Sequence, residues 1–307
     1  MRKPVHPDIP HDRLTSLTAL VSNGLDTSNF VGSYIPSATQ VTDGAQSTYE
    51  GAILVTMLDS DLVDDILPSG LSLAQTKDST IKTHPVILML GVQGDLRLLQ
   101  AGKLVDLGVQ PYTELILMIP FVIRDSGTKW HNYAARMYLD NGQAIVIGDI
   151  FYAYAKEPAL FVKNGAKTTV LQVGRIFKVD AQDAGSTTDL AAVGIAVPAG
   201  LSQIEEVFKM PIVGHFDSWP YPYPPPPSYP FSCSYFEFDF SQAQVTPANG
   251  VFRFIQEFKP GMSGWVALGE IANSSNGAFK ISGMRWRLAS EWPPWTSSVK
   301  PPACNFY

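Results

Sequence analysis

The run Glu114-Leu115-Ile116-Leu117-Met118-Ile119-Pro120-Phe121-Val122-Ile123-Arg124, then Tyr133-Ala134-Ala135-Arg136-Met137-Tyr138-Leu139, then Ala144–Tyr154, decides the fold. Each piece has strand length and is dominated by β-branched, aromatic and other apolar residues. Asn141-Gly142, between the second and third, suits the positive φ angles of a tight hairpin turn. The pattern continues outward, with strands expected over 50–57, Val86–Leu90, Thr168–Val179, Tyr235–Phe240, Val251–Phe258, Trp265–Ile271 and Ala278–Leu288. Asn-Gly recurs at Asn23, Asn164, Asn249 and Asn276. The reading is a mainly β chain with a few short helices. Its sheet is mostly antiparallel and is expected to close into a barrel, because closure removes open edges. One helix is expected after Asp59, which caps a segment running to Leu67 before Pro68 and Gly70.

Three segments follow from composition. Residues 1–45 are polar and read as an N-terminal arm, 46–292 as the barrel domain, and 293–307 as a Pro-broken tail. Within the barrel domain, residues 219–230 (Trp-Pro-Tyr-Pro-Tyr-Pro-Pro-Pro-Pro-Ser-Tyr-Pro) cannot join a central sheet, since Pro lacks the donor hydrogen. They read as a semi-rigid loop or as an extended ligand for a Pro-binding partner.

Of the 307 residues only 16% are charged, against about 25% in an average domain. That low density suggests surface buried against other subunits, a homo-oligomer. Net charge is −6 and no Lys/Arg run exists to neutralise phosphates, which argues against nucleic-acid binding. The apolar stretches Leu115–Ile123 and Leu190–Leu201 fall short of the ~18 residues of a membrane span. The first residues lack the apolar core of a secretory signal. Cys233 and Cys304 are too few for a disulfide framework, so the expectation is a cytoplasmic protein with reduced thiols.

Familiar catalytic motifs fail on inspection. Gly165-Ala166-Lys167-Thr168 resembles the end of a phosphate loop, but Leu160 occupies the place of its first Gly. Gly261-Met262-Ser263-Gly264 resembles a nucleophile elbow, but Trp265 replaces its closing Gly. His84, His131 and His215 stand alone, without metal-ligand spacing. No cofactor and no metal are expected. Lys156 is more informative, because it ends the almost wholly apolar run Ile145–Ala155. A desolvated lysine loses affinity for its proton and becomes a nucleophilic amine, able to form a protonated imine with a ketone or aldehyde. The alternative is a lysine whose stem lies on apolar neighbours while its amine stays in water.

An ordered series of motifs resembles the acetoacetate decarboxylase family. It comprises Leu67-Pro68-Ser69-Gly70-Leu71, His84-Pro85-Val86-Ile87, Tyr112-Thr113-Glu114 leading to Ile119-Pro120, Tyr138-Leu139-Asp140-Asn141, Ile147-Gly148-Asp149 and Ala153-Tyr154-Ala155-Lys156, with a weaker echo at Gly269-Glu270-Ile271. The resemblance spans about 47–290 and is carried by 111–162. It implies a closed antiparallel barrel around an apolar cavity, oligomeric assembly, and a Schiff-base lysine, which falls on Lys156. Glu114 falls on the family's cavity carboxylate.

Three departures stand out. Glu157 replaces the second lysine that follows the first in the family. An arginine near the first strand falls on about Tyr49, and an acidic residue within Ile87–Leu90 is missing. The match also requires an insertion near 95–108. Glu157 lies outside the cavity if strand alternation holds. If it faces the amine instead, it weakens the nucleophile. Arg136 is the candidate to bind a substrate carboxylate in place of the lost arginine, or else an outward-facing residue paired with an acid. The implied function is a lyase acting on a keto acid or related keto compound through an imine on Lys156. The alternatives are an imine-forming aldolase, dehydratase or cyclase for a larger keto substrate, and a non-catalytic barrel for apolar ligands.

Overall fold

The computed structural model describes residues 25–34, 44–124, 127–152, 154–172, 175–183, 204–215, 231–254, 271–273 and 279–290. The Pro-rich segment 219–230, the tail 293–307, most of the 1–45 arm and the strand expected at Trp265–Ile271 (except Ile271) lie outside them. After a 3-10 turn at Thr27–Asn29 come β1 (Gly44–Asp59), α1 (Ser60–Asp64), β2 (Leu71–Leu73), β3 (Thr83–Gln100), β4 (Lys103–Asp106), β5 (Tyr112–Arg124) and β6 (Trp130–Leu139). They are followed by α2 (Gly142–Tyr152), β7 (Lys156–Pro158), β8 (Leu160–Asn164), β9 (Lys167–Gln172), β10 (Arg175–Asp183) and β11 (Ile212–His215). The last are β12 (Phe231–Asp239), β13 (Gln244–Phe254), β14 (Ile271–Asn273) and β15 (Phe279–Ser290).

The chain is mainly β with few helices. No helix among the described residues is long and apolar enough to cross a membrane. The strands join in the order β1-β3-β5-β6-β11-β12-β15, and β15 pairs β1 again. From β15 the sheet also continues through β13, β10, β9 and β8. Among the described residues the strands pair antiparallel except for β6–β11 and β6–β7, which are parallel, in keeping with the mostly antiparallel sheet expected.

Alternation along the strands sorts the apolar residues into two clusters. Ile53, Ile87, Met89, Ile116 and Met118 gather in one, and Leu54, Leu88, Leu115 and Leu117 in the other. The second cluster also takes Val170 of β9, Val179 of β10 and Ala248 of β13. With both faces covered, the strands read as continuous apolar runs rather than alternating ones.

Asp59 caps α1 as expected, accepting from the Asp61 amide at 2.9 Å. Four other expectations need correction. Residues 142–152 form a helix, although Ile145-Val146-Ile147 favours a strand by propensity. The cause is tertiary, because β7 lies parallel to β6, and a parallel neighbour is reached by a crossover, usually a helix. Asn141 starts this helix by accepting from the Ala144 amide at 3.1 Å, so Asn141-Gly142 is a helix cap and not a hairpin turn. Asn249-Gly250 also makes no turn, since both residues sit inside β13, paired with Gln182 and Ala181. Gly165, at φ 60, does turn the chain between β8 and β9. Finally, Cys233 on β12 is buried and disulfide-bonded, against the expectation of reduced thiols. Sequence spacing carries no information on sulfur proximity, and disulfides persist in oxidising compartments.

Candidate active site

The site lies at the β5–β6–β7 junction, where three hydrogen-bonded features place its two ionisable groups. Asp140 clamps the start of β5: its carboxylate accepts from the Thr113 amide at 2.7 Å, and its own amide donates to the Thr113 carbonyl at 3.2 Å. That fixes the backbone next to Glu114. Asn141 then caps α2, which carries Gly148 back over β7. On β7, Lys156 pairs with Met137, Met137 with Ile116, and Ile116 with Met89, one rung across four strands.

Lys156 and Glu114 both line a cavity of about 610 Å³, within the ~300–1,000 Å³ usual for small-molecule sites. Its wall is otherwise largely apolar and aromatic, including Met89, Ile116, Met137, Phe236 and Trp286. Lys156 is half-buried, and its Nζ donates to the Ala144 carbonyl at 3.3 Å. Its stem lies against Gly148, where any Cβ would overlap Cδ, Cε and Nζ. Glycine at 148 is therefore a requirement of this lysine conformation.

Glu114 is 1% exposed. Burial pushes its carboxyl above the usual range, while the Lys156 ammonium and a hydrogen bond from Gln93 pull it partly back. The carboxyl thus lies within the field of the lysine. Gln93 donates from Nε2 to Glu114 Oε1, and its Oε1 accepts from the Trp286 indole at 2.8 Å. Tyr49 and Tyr112 also line the cavity. Burial first, and the charge of Glu114 second, push their phenols well up, so both remain protonated donors.

Glu157 and Arg136 face away from this cavity and towards each other, with Arg136 Nη1 2.8 Å from Glu157 Oε1. Glu157 also accepts from Gln172 at 2.5 Å. Neither residue is among those lining the cavity. A bulge explains the side taken by Arg136. Ala134 pairs with Met118 and Arg136 with Leu117, so β6 holds one extra residue, and Ala134 and Met137 both line the cavity while Arg136 turns outward.

Sequence reasoning missed Gln93, Gly148 as a spacer, and Trp286. Gln93 carried a usable signal, as the polar residue that follows the apolar run Val86–Val92. The His84 motif is structural in this chain: its Nε2 donates to the Pro120 carbonyl at 2.7 Å.

No family model matches the chain, and no curated protein matches it in sequence. Solved structures do resemble it. The enduracididine biosynthesis enzyme MppR complexed with pyruvate shares 9% identity at a TM-score of 0.49, over 82% of this chain and 90% of that one. An acetoacetate decarboxylase-like enzyme from Sphingomonas wittichii shares 11% at 0.47, over 80% and 89%. Acetoacetate decarboxylase from Legionella pneumophila shares 13% at 0.46, over 82% and 89%.

Proposed function

We propose that this chain is an imine-forming lyase whose nucleophile is Lys156, working inside a closed barrel formed by the ring of strands. One observation carries the reading: Lys156 and Glu114, the cationic and anionic residues of the cavity wall among the described residues, share one largely apolar space. The neutral amine of Lys156 attacks the carbonyl carbon of a keto compound, a C–N bond forms, and the carbonyl oxygen leaves as water, giving a protonated imine. With a 3-oxo acid, the bond to the carboxylate then breaks, its electron pair moves through the imine towards nitrogen, and carbon dioxide departs. The enamine left behind takes a proton at carbon, and water releases the ketone and the lysine. Glu114 holds the proton that moves between amine, water and carbon, consistent with a carboxyl raised by burial. Aldol cleavage or dehydration would use the same electron sink.

Borohydride reduction tests this directly. The protein is incubated with acetoacetate, pyruvate and larger ketones, reduced, and mapped by peptide mass spectrometry. The expected adduct is on Lys156 and is lost in Lys156→Ala. A complete series without an adduct there sinks the proposal.

A further inference from the structure

We propose that the cavity takes keto compounds bearing an extended, uncharged apolar chain, with the carbonyl end at Lys156 and the chain along a wall of Leu96, Leu98, Leu99 and Leu107; the placing of the carbonyl end rests on the imine reading above. All four leucines line the cavity that holds Lys156 and Glu114. They belong to the β3–β4 hairpin and the turn after it, within the segment that departs from the family pattern as an insertion.

The geometry of this arm is readable from the strand register. Gln93, at the Glu114 end, is six residues before Leu99 on β3, up to about 20 Å at ~3.3 Å per residue. At the far end Leu288, Ala45 and Leu98 form one rung across β15, β1 and β3, and Gly44 pairs with Leu99. Gly44 and Ala45 line the cavity there, and their small size leaves room for a ligand between the leucines. Among the described lining residues the charged groups are Glu114 and Lys156, both at the reactive end, and neither Arg nor His contributes. A carboxylate carried to the far end of the chain would be buried without a counter-ion, which is costly, whereas methylenes gain from leaving water.

The test uses the intact chain and four ligands: 2-butanone, 2-heptanone, 2-undecanone and 10-oxoundecanoate. Binding is read by calorimetry and imine formation by borohydride trapping. The dissociation constant should fall about a hundredfold or more from 2-butanone to 2-undecanone, as added methylenes are buried. 10-Oxoundecanoate, equal in length but charged at its far end, should bind at least tenfold more weakly than 2-undecanone. Leu99→Trp should weaken 2-undecanone binding at least tenfold more than it weakens 2-butanone binding. If that variant does not fold, the length series on the unmodified chain decides. Binding independent of chain length, or equal binding of the charged analogue, overturns the proposal. Tight, length-dependent binding without an adduct would refute the imine reading and leave the chain-binding arm standing. Trapping of acetoacetate and 2-butanone without length dependence would do the reverse.

Discussion

Gly148 of α2 lies directly against the side chain of Lys156, so close that a methyl group at 148 would occupy the space of the lysine's terminal atoms. Glycine in a helix interior ordinarily costs about 1 kcal/mol relative to alanine. Gly148→Ala should therefore not destabilise the helix through propensity; it should displace the lysine. The expected result is at least a tenfold loss of borohydride trapping with an unchanged circular dichroism spectrum. Undiminished trapping would show that the lysine reacts from another conformation.

Glu114→Gln removes the anion whose field reaches Lys156 while keeping an acceptor for Gln93. A neighbouring carboxylate favours the protonated amine. The pH profile of trapping should therefore move to lower pH, on the order of one unit, and proton transfer after imine formation should slow. Measuring trapping and product release separately across pH 5–9 distinguishes the two effects.

Arg136 and Glu157 form a largely buried ion pair on the side away from the cavity. Arg136→Met should cost about 2–3 kcal/mol in urea unfolding, because it strands a partly buried carboxylate. Adding Glu157→Gln should restore part of that stability, and trapping on Lys156 should survive in the double variant. Glu157→Lys should destabilise the chain by placing two cations together. A loss of trapping in the double variant with the fold intact would return Arg136 to the site.

His84 and His131 are both buried, and burial pushes each down to about 4 from the ordinary 6.5. In the unfolded chain they take up protons near pH 6.5, whereas the folded chain resists until about pH 4. Their contribution is thus complete above pH 6.5 and is lost as pH falls towards 4, by up to about 3 kcal/mol for each. Urea midpoints should drop steeply over that window. His84→Gln, which keeps a donor for the Pro120 carbonyl, should flatten the slope.

Much of this architecture is legible in the residues, and its failures have physical causes. Long apolar runs such as Glu114–Arg124 announce buried strands, and Asp59 announces a helix cap. Residues 144–154 do not announce a helix, because local propensity there points to a strand and the crossover to β7 overrides it. Asn141-Gly142 is ambiguous for a related reason: asparagine is favoured both at tight turns and at helix N-caps. The side taken by Arg136 depends on a one-residue bulge, which a period-two reading cannot see. Lys156 is readable as a candidate from its place at the end of an apolar run together with the motif resemblance, and Glu114 from the resemblance. Their shared cavity and the glycine that admits the lysine exist only once the chain is folded.

Cys233 tests the compartment reading on its own. Peptide mapping of protein alkylated without reductant should find Cys233 unmodified, and prior reduction should expose it to the reagent. Alkylation without reduction would restore the thiol expectation.

The hydrogen bond from Trp286 to Gln93 gives the molecule a built-in optical probe. The indole lines the cavity and is tied through the amide to Glu114. A ligand entering that space changes the polarity around the ring, and a change in the charge of Glu114 reaches it through a single side chain. Intrinsic emission should therefore report cavity occupancy within the mixing time, before any covalent step, and a Trp286→Phe variant should lose that response. Stopped-flow fluorescence of the unlabelled protein would then separate the arrival of a ligand from its reaction.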